Sequence, residues 1–148
     1  MSRAARLQPA VSQQERAVVA AARKLREALE TQQATHTRLE QLQRYQAEYQ
    51  ADLRSRQGDA DLRLDIVRCY RSLLDQLDAA ITQQWQRLAT VDADVSKRQQ
   101  DWQAERARLQ ALQQTQERLQ QAEDKRRERL EQREQDDRPR RLGSWPPR

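Results

Sequence analysis

No proline or glycine interrupts the chain between Gly58 and Pro139, and the whole sequence holds only 2 Gly and 4 Pro. Sandwiches, barrels and doubly wound sheets turn every dozen residues or so, and they draw on these residues to do it. A chain this poor in turn formers has two outcomes left: disorder, or long helices that bury a narrow stripe. Composition agrees that any core is thin. The chain is 36% hydrophobic and 34% charged, has no Phe, and its mean hydropathy is −1.21. An ordinary globular domain is about 45–50% apolar. No apolar run approaches the roughly 18 residues that a membrane-spanning helix needs.

Periodicity selects helices. From Val18 a heptad can be written with a positions Val18, Leu25, Gln32, Leu39, Gln46 and Leu53, and d positions Ala21, Ala28, Thr35, Leu42 and Tyr49. Eight of these eleven are apolar, which makes a coiled-coil seam with polar gaps. A second seam starts at Val67. Its a positions are Val67, Leu74, Ile81, Leu88, Val95, Trp102, Leu109 and Gln116, and its d positions are Tyr70, Leu77, Gln84, Val91, Arg98, Glu105, Leu112 and Leu119. Twelve of these sixteen are apolar. Between the seams stands Gly58, a residue suited to a helix C-terminus because it takes positive φ without steric conflict.

The expected fold is therefore all-α: a long two-helix antiparallel coiled-coil hairpin with an overhanging C-terminal helix. Residues 1–11 are expected to be irregular because of Pro9. Ser12-Gln13-Gln14-Glu15 has the form of a capping box, so the hairpin is expected over 12–137 with its turn near 57–61. Residues 123–137 are almost wholly charged, either helix held by i,i+4 pairs or frayed. The basic, Pro-containing residues 138–148 are expected to be a flexible tail. A turn centred near 59 pairs 38 with 80, 42 with 77, 45 with 73 and 12 with about 106. Leu109, Leu112 and Leu119 are then expected to overhang with no partner in the chain. Such a stripe tends to find another surface, since each buried Leu contributes about 1.5–3 kcal/mol.

Lys+Arg is 28 against 23 Asp+Glu, for a net charge of +5 and a pI near 10.0. Acids and bases alternate along the helices, which describes a solvated face better than a nucleic-acid footprint. The concentrated basic run is Arg138, Arg140, Arg141 and Arg148. Cys69 is the single cysteine, so no internal disulfide can form. A reducing compartment fits, and without an apolar h-region after Arg3 and Arg6 a cytoplasmic protein is expected. His36 is the single histidine and sits beside the first seam. Neither it nor Cys69 has a paired base or an oriented site. With no phosphate loop and no metal-ligand spacing, the expectation is a protein that is not an enzyme and has no cofactor.

Two stripes share one spacing. Arg38, Leu42, Tyr45 and Tyr49 repeat on the first helix what Leu73, Leu77, Ala80 and Gln84 repeat on the second. The hairpin lays them side by side near the turn. Spacing alone favours a widened core over a docking face.

The ordered set Leu42-Gln43-Arg44-Tyr45-Gln46-Ala47-Glu48-Tyr49, then Gly58, then Leu77-Asp78-Ala79-Ala80-Ile81-Thr82-Gln83, then Trp102 with Arg108-Leu109, resembles the flagellar FliJ family over roughly residues 15–125. The resemblance implies a stalk-like antiparallel coiled coil of the flagellar type III export apparatus. Its partners would be the export ATPase hexamer, the cytoplasmic domain of the membrane export gate, and export chaperones that it escorts. It would sit in the cytoplasm, held peripherally at the inner membrane at the flagellar base. The gate-facing positions would be Leu42, Tyr45, Tyr49, Leu73, Leu77 and Ala80. Arg38, Leu73 and Gln84 depart from the family pattern, and Arg38 and Gln84 are the weaker contacts for that reason. The ATPase-facing part would be the ends, roughly 13–30 and 95–125, including Leu109, Leu112 and Leu119. Rival readings are the equivalent stalk of a virulence-type secretion system, a homo-oligomeric structural coiled coil, and a basic helical nucleic-acid binder.

Overall fold

The computed structural model describes residues 2–58 and 63–138. Among these, the chain forms α1 (Arg3–Arg6), α2 (Gln8–Arg56) and α3 (Leu64–Asp137). The fold is an all-α helical hairpin. Strong helix formers (Ala, Leu, Gln, Glu, Arg) fill both long helices, and no interior Gly or Pro breaks α3. Two compact units divide the chain: Met1–Val18 with Ala104–Arg148, and Val19–Gln103.

The N-terminal residues are helical, contrary to the irregular 1–11 expected. Ser2 caps α1 by accepting a bond from the Ala5 N–H at 3.1 Å. The ladder breaks at Leu7, whose N–H turns back to Ala4 O at 3.2 Å. It restarts at once, with Val11 N–H donating to Leu7 O at 2.9 Å. Pro9 is thus the second residue of α2, where its missing N–H would have found no helical partner anyway. Ser12 starts nothing. It lies inside α2, and its Oγ accepts from Gln8 Nε2 at 3.3 Å.

In the first unit, Ala4 and Val11 are buried, and Leu7, Gln14, Ala17 and Val18 are half-buried. This continues the first seam two heptads toward the N-terminus. Facing it on α3 is the half-buried stripe Glu105, Leu109, Leu112, Gln116, Leu119 and Glu123. The polar members of that stripe bond across. Gln14 Nε2 donates to Glu105 O at 2.9 Å, Gln116 Nε2 donates to Ala4 O and Gln8 Oε1, and Glu123 Oε1 accepts from Arg3 N–H at 2.9 Å. The expected overhang is therefore corrected. Leu109, Leu112 and Leu119 have an intramolecular partner, because the helical N-terminus begins at Arg3, well before Ser12, and the bonds of Gln8 with Gln116 and of Arg3 with Glu123 place it alongside them. The exposed end of α3 begins only after Glu123.

In the second unit the buried apolar residues are Ala28, Leu39, Leu42, Leu53 and Leu88. Thr35 joins them, and its hydroxyl is satisfied by donating to Thr31 O at 2.7 Å. The α3 seam positions from Val67 to Trp102 are all buried or half-buried, as the heptad requires. Gln32 donates to Asp92 Oδ1 at 2.7 Å, Gln46 to Asp78 Oδ1, and Gln84 to Thr35 O at 3.2 Å. The ion pairs Arg56–Asp52, Arg98–Asp94 and Arg108–Glu105 each join residues of one helix. Glutamine amides thus contribute several of the bonds that cross between the helices. The bonds of Gln8, Gln32 and Gln46 run about a turn and a half later on α3 than a bend centred on residue 59 predicts.

The expected turn is only partly visible. Gln57 and Gly58 turn directly after α2, and 59–62 lie outside the described residues, as do 139–148 of the expected tail. Gly58 does not use its special freedom: no described glycine has positive φ, and a Cβ there would meet nothing within 4 Å. Gly58→Ala should therefore stabilise the hairpin slightly, by about 0.4–1 kcal/mol, through the unfolded state. Urea unfolding followed by circular dichroism checks this. A lower midpoint would mean that the glycine is required.

Candidate docking face

The bend-proximal stripes lie in the second unit, and burial sorts them into two groups. Leu42 is 6% exposed and belongs to the seam. Leu73, Leu77 and Ala80 are half-buried. Leu77 is a seam residue, whereas Leu73 and Ala80 form with Ile66 a half-buried column beside the seam, repeating every seven residues. Tyr45 and Tyr49 face water, 45% and 38% exposed. Arg38 is exposed, and Gln84 is half-buried with its amide committed to Thr35 O. The widened-core reading therefore describes Leu42, while the two tyrosines present surface.

Cross-helix geometry shows what shares a level. Gln46 bonds Asp78 and Tyr49 meets Tyr70, so Tyr45 and Tyr49 lie alongside the part of α3 that holds Leu73 and Leu77. Ala80, Arg38 and Gln84 lie further from the bend. The arrangement is a shallow apolar strip with two phenol rings, suited to burial against a partner. It offers nothing that would orient a reacting group.

A cluster that the sequence did not announce adjoins this strip. The Tyr70 hydroxyl donates to Asp52 Oδ2. Arg56 Nε donates to Asp52 Oδ1 at 3.4 Å, and its guanidinium stands 5.7 Å over the Tyr70 ring. Tyr49 meets the same ring edge-on, with centroids 6.3 Å apart at 63°. The available signal was the spacing Tyr49, Asp52, Arg56, which places all three on one face of α2.

The cluster shifts two titrations. The Tyr70 hydrogen bond holds the Asp52 carboxyl below its ordinary value; partial burial opposes this and Arg56 assists. The Asp52 bond pushes the Tyr70 phenol up, with burial and the nearby acidic groups adding and Arg56 opposing. Asp52's contribution to stability is thus present above the ordinary carboxylate range and lost as pH falls through its lowered value. Tyr70's contribution is present below the ordinary tyrosine range and lost as pH rises through its raised value. The tyrosinate absorbance that disappears in Tyr70→Phe should titrate above the ordinary range, and Asp52→Asn should lower it. No displacement between these variants would mean that the bond does not persist in solution.

The first unit presents an open groove lined by Ala4, Gln8, Pro9, Gln113, Gln116 and Gln120. Beyond Glu123, residues 124–138 are exposed, with Leu130 at 58%. Leu109, Leu112 and Leu119 are half-buried behind this surface. His36 and Cys69 are both exposed. Among the described residues no group of His, Cys, Asp and Glu could hold a metal ion, and no helix is long and apolar enough to cross a membrane.

Comparison with curated proteins and with solved structures gives no match. The family model described as Flagellar FliJ protein matches residues 2–144, nearly end to end. It takes in both seams and the N-terminal helical segment that the capping-box reading had set aside. The chain belongs to the FliJ family of flagellar proteins.

Proposed function

We propose that the chain is a non-enzymatic stalk of the flagellar type III export apparatus, linking the export ATPase ring to the membrane export gate and escorting export chaperones. Family membership supports the flagellar export role. The observation that carries the finer reading is the exposure of Tyr45 and Tyr49 beside half-buried Leu73 and Leu77. Aromatic rings left exposed at and beside the seam of an otherwise charged coiled coil are suited to burial against a protein partner. The gate is the partner assigned to this strip, through Tyr45, Tyr49, Leu73, Leu77 and Ala80. Leu42 supports it from beneath. Arg38 lies at its edge, and Gln84 is held to its own partner helix.

The ATPase is assigned to the first unit, which both ends of the sequence form. Its surface there is the exposed α3 segment after Glu123 and the groove beside α1, with Leu109, Leu112 and Leu119 acting as the packing behind them. Chaperones and the peripheral membrane location follow from the same apparatus.

The test is a binding titration of the gate's cytoplasmic domain with wild type and Tyr45→Ala. Tyr45→Ala should weaken binding about tenfold, as loss of an aromatic anchor does, with helicity unchanged. Equal affinity of the two proteins, or no binding by wild type, contradicts the assignment.

A further inference from the structure

Tyr49 occupies a d position, yet it is more exposed than the d positions of α2 from Gln14 to Leu42, all of which are buried or half-buried. Packing from above therefore does not hold its ring. A surface aromatic on a helix samples several rotamers, and a partner that uses it must immobilise it at some loss of affinity. Here the ring has one wall, Tyr70, which crosses from α3. Tyr70 is in turn gripped twice by α2. Its hydroxyl is bonded to Asp52 and its ring is covered by Arg56. Asp52 and Arg56 also bond each other, which closes the ring of contacts.

Asp52 and Arg56 lie near the C-terminal end of α2, where Arg56 also suits the negative end of the helix dipole. Asp52 flanks the seam, and each isolated contact of this kind contributes little on a wetted surface. A closed set is different, because each member orders the next. Its output is the placement of the one aromatic ring at the strip's edge.

We propose that Asp52, Arg56 and Tyr70 are positioning residues that pre-set the Tyr49 ring for docking. This deepens the gate assignment above and rests on it for the identity of the partner. The ring is the contact, Tyr70 is its wall, and the Asp52–Arg56 pair holds the wall in place. Losing the grip leaves the tyrosine present but unplaced, so affinity falls while the helices stay intact.

The experiment uses the full chain. Gate-domain affinity is measured for wild type, Asp52→Ala, Tyr49→Ala and the double variant, and Tyr70→Phe serves as the conservative variant. In parallel, NMR relaxation of the labelled tyrosine rings reads the order of Tyr49 without any partner. Asp52→Ala should bind about three- to tenfold more weakly, as ordering one side chain allows, with unchanged helicity. The double variant should be no weaker than Tyr49→Ala, because a positioning residue has nothing left to position. Tyr70→Phe, which keeps the wall and loses one grip, should fall between wild type and Asp52→Ala.

An Asp52→Ala affinity equal to wild type, or a loss that adds fully to that of Tyr49→Ala, overturns the proposal. If wild type fails to bind the gate domain at all, the gate assignment falls and the relaxation data decide the positioning role. A Tyr49 ring ordered in wild type and freed in Asp52→Ala supports it. Equal ring order in both overturns it.

Discussion

Leu42→Ala should destabilise the hairpin by about 2–4 kcal/mol, whereas Tyr45→Ala, three residues along the same stripe, should change stability by no more than about 0.5 kcal/mol. The difference follows from burial alone, 6% against 45% exposed. Leu42 is one of seven buried apolar residues among those described, so no thick core exists to absorb the cavity. Denaturant unfolding of the two variants checks this directly. If both lose stability alike, Tyr45 belongs to the core, and the strip offered to the gate narrows to Tyr49. A consequence for mapping experiments is that a Leu42 variant that fails to bind says nothing about contact, because it loses the support beneath the strip. The same holds for Leu77, a half-buried seam residue.

The second large effect concerns the ends. Truncation after Arg108 removes Leu109, Leu112, Gln116 and Leu119, the stripe against which Ala4 and Val11 are buried. Residues 3–14 should then fray, because α1 and the first turns of α2 lose the packed face opposite them. Truncation after Glu123 removes exposed α3 alone and should leave that segment protected. Amide hydrogen exchange of residues 4–14 separates the two: fast in the shorter protein, slow in the longer. Fast exchange in both would mean that the N-terminal pairing does not hold in solution. The distinction bears on ATPase association, since the shorter truncation unfolds the groove beside α1 as well as deleting sequence. The longer truncation isolates the contribution of the segment after Glu123.

What the sequence showed and what it hid have separate physical causes. The heptads at Val18–Leu53 and Val67–Leu119 were legible because burial of one stripe is all that a long helix requires. Every one of those α3 positions is buried or half-buried. The N-terminal boundary was not legible, because by pattern Pro9 reads as a breaker and Ser12–Glu15 as a cap. Ala4, Leu7, Val11 and Gln14 already continued the a and d positions, and proline in a first turn is no obstacle. The late helix start and the expected register together produced the false leucine overhang. The register was legible only in part: Gln84 on Thr35, Gln14 on Glu105 and Tyr49 on Tyr70 fall close to a bend centred on residue 59, while Gln32 on Asp92 and Gln46 on Asp78 reach further along α3. A heptad fixes which side faces inward but not how far one helix slides along the other. The Tyr70 cluster stayed hidden for the same reason, because it depends on a residue from the facing helix. Within the strip, Leu42 and Tyr45 look equivalent by spacing, and burial distinguishes them.

The central claim is that one chain doubles back and pairs with itself in this register. Short-spacer crosslinking between introduced cysteines, in a Cys69→Ser background at low protein concentration, tests it most directly. Gln32→Cys with Asp92→Cys should link within a monomer, and so should Gln8→Cys with Gln116→Cys, while Gln32→Cys with Gln86→Cys should link poorly. Dimeric products from the first two pairs, or efficient linkage of the third in place of the first, would contradict the account.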